Sequence, residues 1–237
     1  MPNSTNVRRP VLVVGAGRTA SSYVLDRLQF GRDDFQNIIE NEIYRDLYRD
    51  LRERWWSREN WRHVCPEDEV ERRVIEAIRQ SFVVLFPSER PHWVMKCIWD
   101  GHDAALLHAL FPEARYVHLV RDPRTNVASM MERIGWSFER GCQMYVRSNR
   151  MGLRFERFKG RYLRVRQEDF VDRRDETWRR LLEFLGVPRG DSDWNRELNV
   201  SPSQQGKIDE KRADSALEWQ KLPDGVIRMA EQLGYAE

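Results

Sequence analysis

The sequence predicts an α/β fold, a central parallel sheet flanked by helices. Three observations predict it. The run Pro10-Val11-Leu12-Val13-Val14 is apolar and stops at Gly15, and a helical pattern on Val24, Leu25 and Leu28 follows a turn of small residues. A second apolar run, Tyr116–Val120, leads through Asp122-Pro123 into another helical stretch. Elsewhere short apolar runs alternate with longer amphipathic stretches, and strands separated by helices argue for a parallel sheet covered on both faces.

The elements follow in order. Residues 1–9 read as a loose tail, and the chain 1–237 as one domain. Pro10–Gly15 is the first strand and Ser21–Phe30 the first helix. Gln36–Arg54 reads as a charged helix with Ile38, Ile39, Ile43, Leu47 and Leu51 near one face. Trp55, Trp56 and Trp61 come next. Glu67–Phe86 carries Val70, Val74, Ile78 and Phe82 at four-residue spacing, a helix packed by one stripe. His92–Ile98 is a strand and His102–Phe111 a helix. Strands at 116–121 and 161–166 alternate with helices at 125–133 and 138–158. Helices at 175–185 and 223–234 close the chain, the former stopped by Gly186 and Pro188. The polar stretch 189–215 reads as a long functional loop.

Composition excludes several classes. Apolar residues make up 41% of 237, enough for a core. The 40 basic and 38 acidic residues leave a net charge of only +2 and are interspersed, so no nucleic-acid footprint is present. No apolar run approaches membrane-spanning length. The polar stretch Met1–Pro10 lacks the apolar segment of a secretory signal. Cys65, Cys97 and Cys142 are widely spaced, which suits reduced thiols in a cytoplasm. The histidines and cysteines show no metal-ligand spacing, so no metal is expected.

Two segments carry chemistry. Pro10–Ser22 is a strand, a loop and a helix start, and N–H groups at a helix start attract anions. The loop nearly fits the triphosphatase pattern G-x-x-x-x-G-K-[ST], with Gly15 as first glycine and Ser22 as final hydroxyl. Ala20 replaces the second glycine, and Ser21 stands where a lysine must reach the β- and γ-phosphates. The loop is therefore built for phosphate and poorly built for ATP or GTP hydrolysis. In the second segment Arg121 ends a strand, Pro123 suits a first helical turn, and Ser129 lies on the helix that follows. An arginine fork and a hydroxyl so placed can grip a second phosphate.

With these two segments in place, the chain resembles the sulfotransferases that use 3′-phosphoadenosine 5′-phosphosulfate (PAPS). The resemblance implies a P-loop nucleoside triphosphatase-like sulfotransferase fold. It implies that Gly17, Arg18, Thr19, Ala20, Ser21 and Ser22 hold the 5′-phosphosulfate, and that Arg121 and Ser129 hold the 3′-phosphate. The family usually has Ser-Gly-Thr-Thr where this chain has Thr19-Ala20-Ser21-Ser22. Tyr162–Val187 is also similar to the family, with Glu168-Asp169 after a strand and a helix ending at Phe184-Leu185-Gly186-Val187-Pro188.

Sulfuryl transfer builds negative charge on the leaving phosphate oxygen and on the sulfuryl oxygens, so cations placed there supply much of the acceleration. Arg18 and Lys96, the latter at the end of Trp93-Val94-Met95-Lys96, are the candidates. The acceptor needs a base. Glu40-Asn41-Glu42 is similar to the Glu-Asn-Glu segment of glycan sulfotransferases, which implies Glu42 as base with Glu40 as runner-up; two solvated helix glutamates are the plain alternative. The small-phenol branch instead has a histidine four residues after the strand lysine; Asp100 stands there, with His102 nearby. Trp55, Trp56, Trp61, Trp136 and Phe138 either line an acceptor pocket or belong to the core. Ser203-Gln204-Gln205-Gly206-Lys207 is a candidate to close over the nucleotide. The expected reaction is direct transfer from PAPS to a carbohydrate or small-molecule acceptor, leaving adenosine 3′,5′-bisphosphate. The rivals are a nucleotide-binding protein without catalysis and, less well matched, an ATP-dependent phosphotransferase.

Overall fold

Among the described residues there are five strands: β1 (Arg9–Gly15), β2 (Phe35–Asn37), β3 (His92–Ile98), β4 (Arg115–Val120) and β5 (Tyr162–Arg166). They pair in the order β2-β3-β1-β4-β5, and every pair is parallel. The computed structural model describes residues 9–31, 35–38, 43–56, 66–86, 90–98, 103–187 and 217–236. The helices are α1 (Ser21–Gly31), α2 (Ile43–Trp56), α3 (Glu67–Leu85), α4 (Ala104–Leu110), α5 (Pro123–Ile134), α6 (Phe138–Leu153), α7 (Gln167–Asp172), α8 (Arg174–Leu185) and α9 (Asp224–Gln232), with short 3-10 turns at Arg154–Arg157 and Trp219–Lys221.

Alternation along β1 shows why the sheet is central. Val11 and Val13 face one layer, where Val24 and Leu28 of α1, Phe170 of α7 and Trp178 and Leu181 of α8 are buried. Leu12 and Val14 face the other, where Tyr44 of α2, Val74 and Ile78 of α3 and Leu107 of α4 are buried. A third cluster joins α5, α6 and α9 through Val127, Tyr145, Val226, Met229 and Leu233. Both faces of β1, β3 and β4 are covered, so these strands read as largely apolar runs. Each fully buried large side chain contributes about 1.5–3 kcal/mol relative to exposure.

Several boundaries differ from the sequence reading, three of them with a clear physical reason. Gln36 and Asn37 belong to an edge strand rather than to the charged helix, which starts at Ile43. That strand is held by partners distant in sequence: Phe35 pairs with His92 and stacks on its ring, and the Arg90 guanidinium donates to the Phe35 carbonyl. The helix expected over 138–158 ends at Leu153 and tightens into a 3-10 turn. The helix expected from His102 starts at Ala104, because the Asp103 carboxylate caps it by accepting from the N–H groups of Ala105 (2.7 Å) and Leu106 (3.2 Å).

Candidate active site

The strand order reverses around β1, with β3 on one side and β4 on the other, and ligands of open α/β sheets bind at such a switch point beyond the carboxyl ends of the strands. Gly15 ends β1 there with φ 123°, and a Cβ on it would lie 2.5 Å from the Leu119 carbonyl oxygen of β4. Only glycine fits this exit from the sheet. The loop then passes through left-handed backbone at Arg18 (φ 65°) and Ala20 (φ 61°), an unusual conformation for residues with a Cβ. Ala20 thus keeps the backbone shape that a glycine adopts freely.

Donors from α5 and from the end of β4 hold this strained loop. Asn126 Nδ2 donates to the carbonyls of Gly17 (3.0 Å) and Arg18 (3.3 Å), and Arg121 Nη1 donates to the Arg18 carbonyl (3.1 Å). A planar trans peptide points its N–H opposite to its C=O. Pinning these two carbonyls toward α5 therefore turns the N–H groups of Arg18 and Thr19 away from it, in the manner of an anion nest. Thr19 spends its hydroxyl inside the loop, on the Ala16 carbonyl (2.9 Å). Ser21 is buried at the first turn of α1 and Ser22 is exposed beside it.

The guanidinium of Arg18 reaches α5, where its Nε donates to Ser129 Oγ at 3.3 Å. Arg121 Nε donates to Thr125 Oγ1 (2.9 Å). The two expected phosphate elements are thus one continuous structure, with Arg18, Ser129 and Arg121 together beyond the carboxyl ends of β1 and β4. Burial pulls the Arg18 pKa below its ordinary value, and Arg133 pulls it further. Burial also lowers that of Arg121, with Glu168 opposing the shift and Arg18 adding to it. Among the described residues no carboxylate forms an ion pair with Arg18. A cationic cluster of this kind, with Arg121 buried and Arg18 half-buried, favours an oxyanion as counter-charge.

The supporting shell is well defined. Asp122 caps α5 by accepting from the Arg124 N–H (2.8 Å), and the Arg124 guanidinium bridges back to the same carboxylate (2.6 Å). Behind the loop, His118 is buried between Tyr162 and Asn149. Asn149 Nδ2 donates to the Tyr145 carbonyl, so Asn149 Oδ1 accepts from His118 Nε2 (3.1 Å), and His118 Nδ1 accepts from the Tyr162 hydroxyl (2.8 Å). Burial holds the His118 pKa down to about 4, against the weaker opposing effect of Asn149.

On the other side of β1, Lys96 lies in register with Val13, on the β3 face shared with Val94 and therefore under α1. Asp26 of α1 is partly buried there. Its Oδ2 has no hydrogen-bond partner among the described residues, and burial raises its pKa against the opposing charge of Lys96. Glu40, Glu42, Asp100, His102, Trp61 and residues 203–207 lie outside the described residues, as do the side chains of Trp55 and Trp56. Phe138 is half-buried. It packs against the third core cluster, which α5, α6 and α9 share. The Trp136 ring carries the Arg140 guanidinium 4.7 Å from its centre.

The sequence reading missed Asn126, Thr125, Asp26, Glu168 and Tyr235. For Asn126 a signal existed: Asn126, Ser129 and Arg133 recur at helical spacing and share the α5 face that meets the loop. Thr125 likewise lies one helical turn from its partner Arg121, whereas Asp26, Glu168 and Tyr235 act through partners too distant in sequence to leave a pattern.

The sequence matches the sulfotransferase family over residues 10–191. No curated protein matches it. Among solved structures, the sulfotransferase domain of the curacin biosynthetic pathway is similar at 18% identity with a TM-score of 0.67, over 95% of this chain and 97% of that one. The sulfotransferase domain of the Synechococcus PCC 7002 olefin synthase gives 19% identity and 0.62, over 97% and 95%. A sulfotransferase from Mycobacterium avium gives 15% identity and 0.55, over 95% and 76%. At these identities the likeness concerns the fold.

Proposed function

Because the chain belongs to the sulfotransferase family, we propose that it transfers a sulfuryl group from PAPS to a hydroxyl or amine of a carbohydrate or small-molecule acceptor. The observation that carries this reading is the cationic pair of half-buried Arg18 and buried Arg121, with Arg18 bonded to Ser129 and Arg121 to the Arg18 carbonyl, beside a loop whose N–H groups face outward. PAPS supplies an activated sulfuryl group and leaves as adenosine 3′,5′-bisphosphate. The N–H groups of Arg18 and Thr19, the helix start at Ser21-Ser22 and the Arg18 guanidinium bind the 5′ end. Arg121 and Ser129 bind the 3′-phosphate. Lys96 neutralises charge developing on the transferring group from the β3 side. Glu42 takes the proton from the acceptor oxygen or nitrogen as that atom bonds to sulfur and the sulfur–oxygen bond to the phosphate breaks.

ATP is the poorer ligand in this reading. The position that a triphosphatase fills with lysine is Ser21, and it is buried. Thermal unfolding in the presence of adenosine 3′,5′-bisphosphate, ATP or AMP tests the proposal. The bisphosphate at 100 times its dissociation constant adds about 2.7 kcal/mol. Equal or greater stabilisation by ATP would sink the assignment.

A further inference from the structure

The last turn of the chain reaches the peptide that carries Arg121, and it does so from outside the stretch 10–191 that matches the family. Tyr235 follows α9 and is buried. Its hydroxyl donates to Glu168 Oε2 at 2.9 Å. The other oxygen of that carboxylate, Oε1, accepts from the Asp122 N–H at 2.9 Å. The carbonyl of Arg121 accepts from the Tyr145 hydroxyl at 3.3 Å. The Arg121 carbonyl and the Asp122 N–H are the two ends of a single planar peptide unit. Tyr145 grips one end and Glu168 the other, so this unit cannot rotate without breaking a charge-assisted hydrogen bond.

The C-terminal segment is itself fastened to β5. Arg164 Nη1 donates to the Gln232 carbonyl (3.1 Å), and the Arg166 guanidinium lies 4.7 Å from the Tyr235 ring centre and donates to the Gly234 carbonyl. Burial of α9 by Val226, Met229 and Leu233 needs no tyrosine hydroxyl. The hydroxyl is spent on Glu168, and it stays protonated because burial, then Glu168 itself, raises its pKa. Glu168 also opposes the lowering of the Arg121 pKa.

We propose that Tyr235 is a positioning residue for nucleotide binding. It holds Glu168 in the conformation that locks the Arg121–Asp122 peptide, and so aims the Arg121 guanidinium at the 3′-phosphate. The C-terminal helix is then part of the nucleotide site. The proposal rests on the assignment of Arg121 to the 3′-phosphate.

Tyr235→Phe and Glu168→Gln test it by two readouts. Tyr235→Phe keeps the ring over Arg166 and removes only the hydroxyl. Calorimetric titration should show adenosine 3′,5′-bisphosphate binding about tenfold more weakly in each variant, while adenosine 5′-phosphosulfate, which lacks the 3′-phosphate, changes by less than about twofold. In the double variant the loss should match that of Glu168→Gln alone, since both act through one carboxylate. Hydrogen exchange without ligand should be faster at the Asp122 amide in Tyr235→Phe, with exchange in β1 unchanged. Unchanged exchange at Asp122, or equal weakening of both nucleotides, overturns the positioning role. If the unaltered protein binds the two nucleotides equally, the 3′-phosphate assignment of Arg121 fails, and the exchange measurement still decides whether Tyr235 holds the turn.

Discussion

Replacing Asn126 with alanine removes the donor that pins two consecutive loop carbonyls, and the structure sets the size of the effect. Asn126 is fully buried and gives hydrogen bonds to Gly17 and Arg18 at 3.0 and 3.3 Å. The Arg18 carbonyl keeps a second donor, Arg121 Nη1. The Gly17 carbonyl loses its Asn126 donor, and an unsatisfied buried acceptor costs about 1–3 kcal/mol. With about 1 kcal/mol for the second hydrogen bond, folding stability should fall by roughly 2–4 kcal/mol. The functional loss has a separate origin. Arg18 sits at φ 65°, and left-handed backbone at a residue with a Cβ persists only while its surroundings hold it there, at about 1–3 kcal/mol of strain. Once released, the loop must be reordered by the ligand, so affinity for adenosine 3′,5′-bisphosphate should drop about ten- to hundredfold, on the scale of 1.4 kcal/mol per decade. Asn149→Ala is the control, since Asn149 is as buried and bonds His118 and the Tyr145 carbonyl behind the loop. It should destabilise comparably and leave affinity within about threefold. Urea unfolding and calorimetric titration of both variants decide the matter. Equal affinity losses at equal stability losses would show that the loop conformation does not depend on Asn126.

Two further outcomes are expected. Glu42→Gln should keep nucleotide affinity and lose about 10²–10⁴-fold in turnover, with Asp100→Asn and His102→Gln as matched controls. Full activity in Glu42→Gln beside a dead control would move the base to the segment after Lys96. The second concerns acid stability. Folding lowers the His118 pKa from 6.5 to about 4, so the unfolded chain binds the proton first as pH falls. The contribution of His118 is complete above pH 6.5 and is lost as pH drops toward 4, amounting to about 3 kcal/mol over that window. His118→Gln should flatten the pH dependence of the urea midpoint between those values, and an unchanged slope would exclude His118 as its source.

Sequence alone determined the strands β1, β3, β4 and β5, because β1, β3 and β4 are largely apolar runs of strand length and β5 is a short segment alternating with helices, and those signals are local. It also determined the two loops that face each other across the switch point. Gly15, the small residues after it, and Arg121-Asp122-Pro123 are short-range features of backbone chemistry. Tertiary structure decided the rest. β2 is three residues long and exists through Phe35 on His92 and Arg90 on the Phe35 carbonyl, contacts that leave no periodicity. For Phe138 the sequence left pocket and core open, and the fold packs it against the cluster that α5, α6 and α9 share. Asn126 under the loop, the unpartnered Oδ2 of Asp26 near Lys96, and Tyr235 on Glu168 depend on which distant elements fold against one another. Helical and strand patterns report the solvent around a segment, whereas a hydrogen bond between residues 168 and 235 requires the whole sheet and its last helix to be in place.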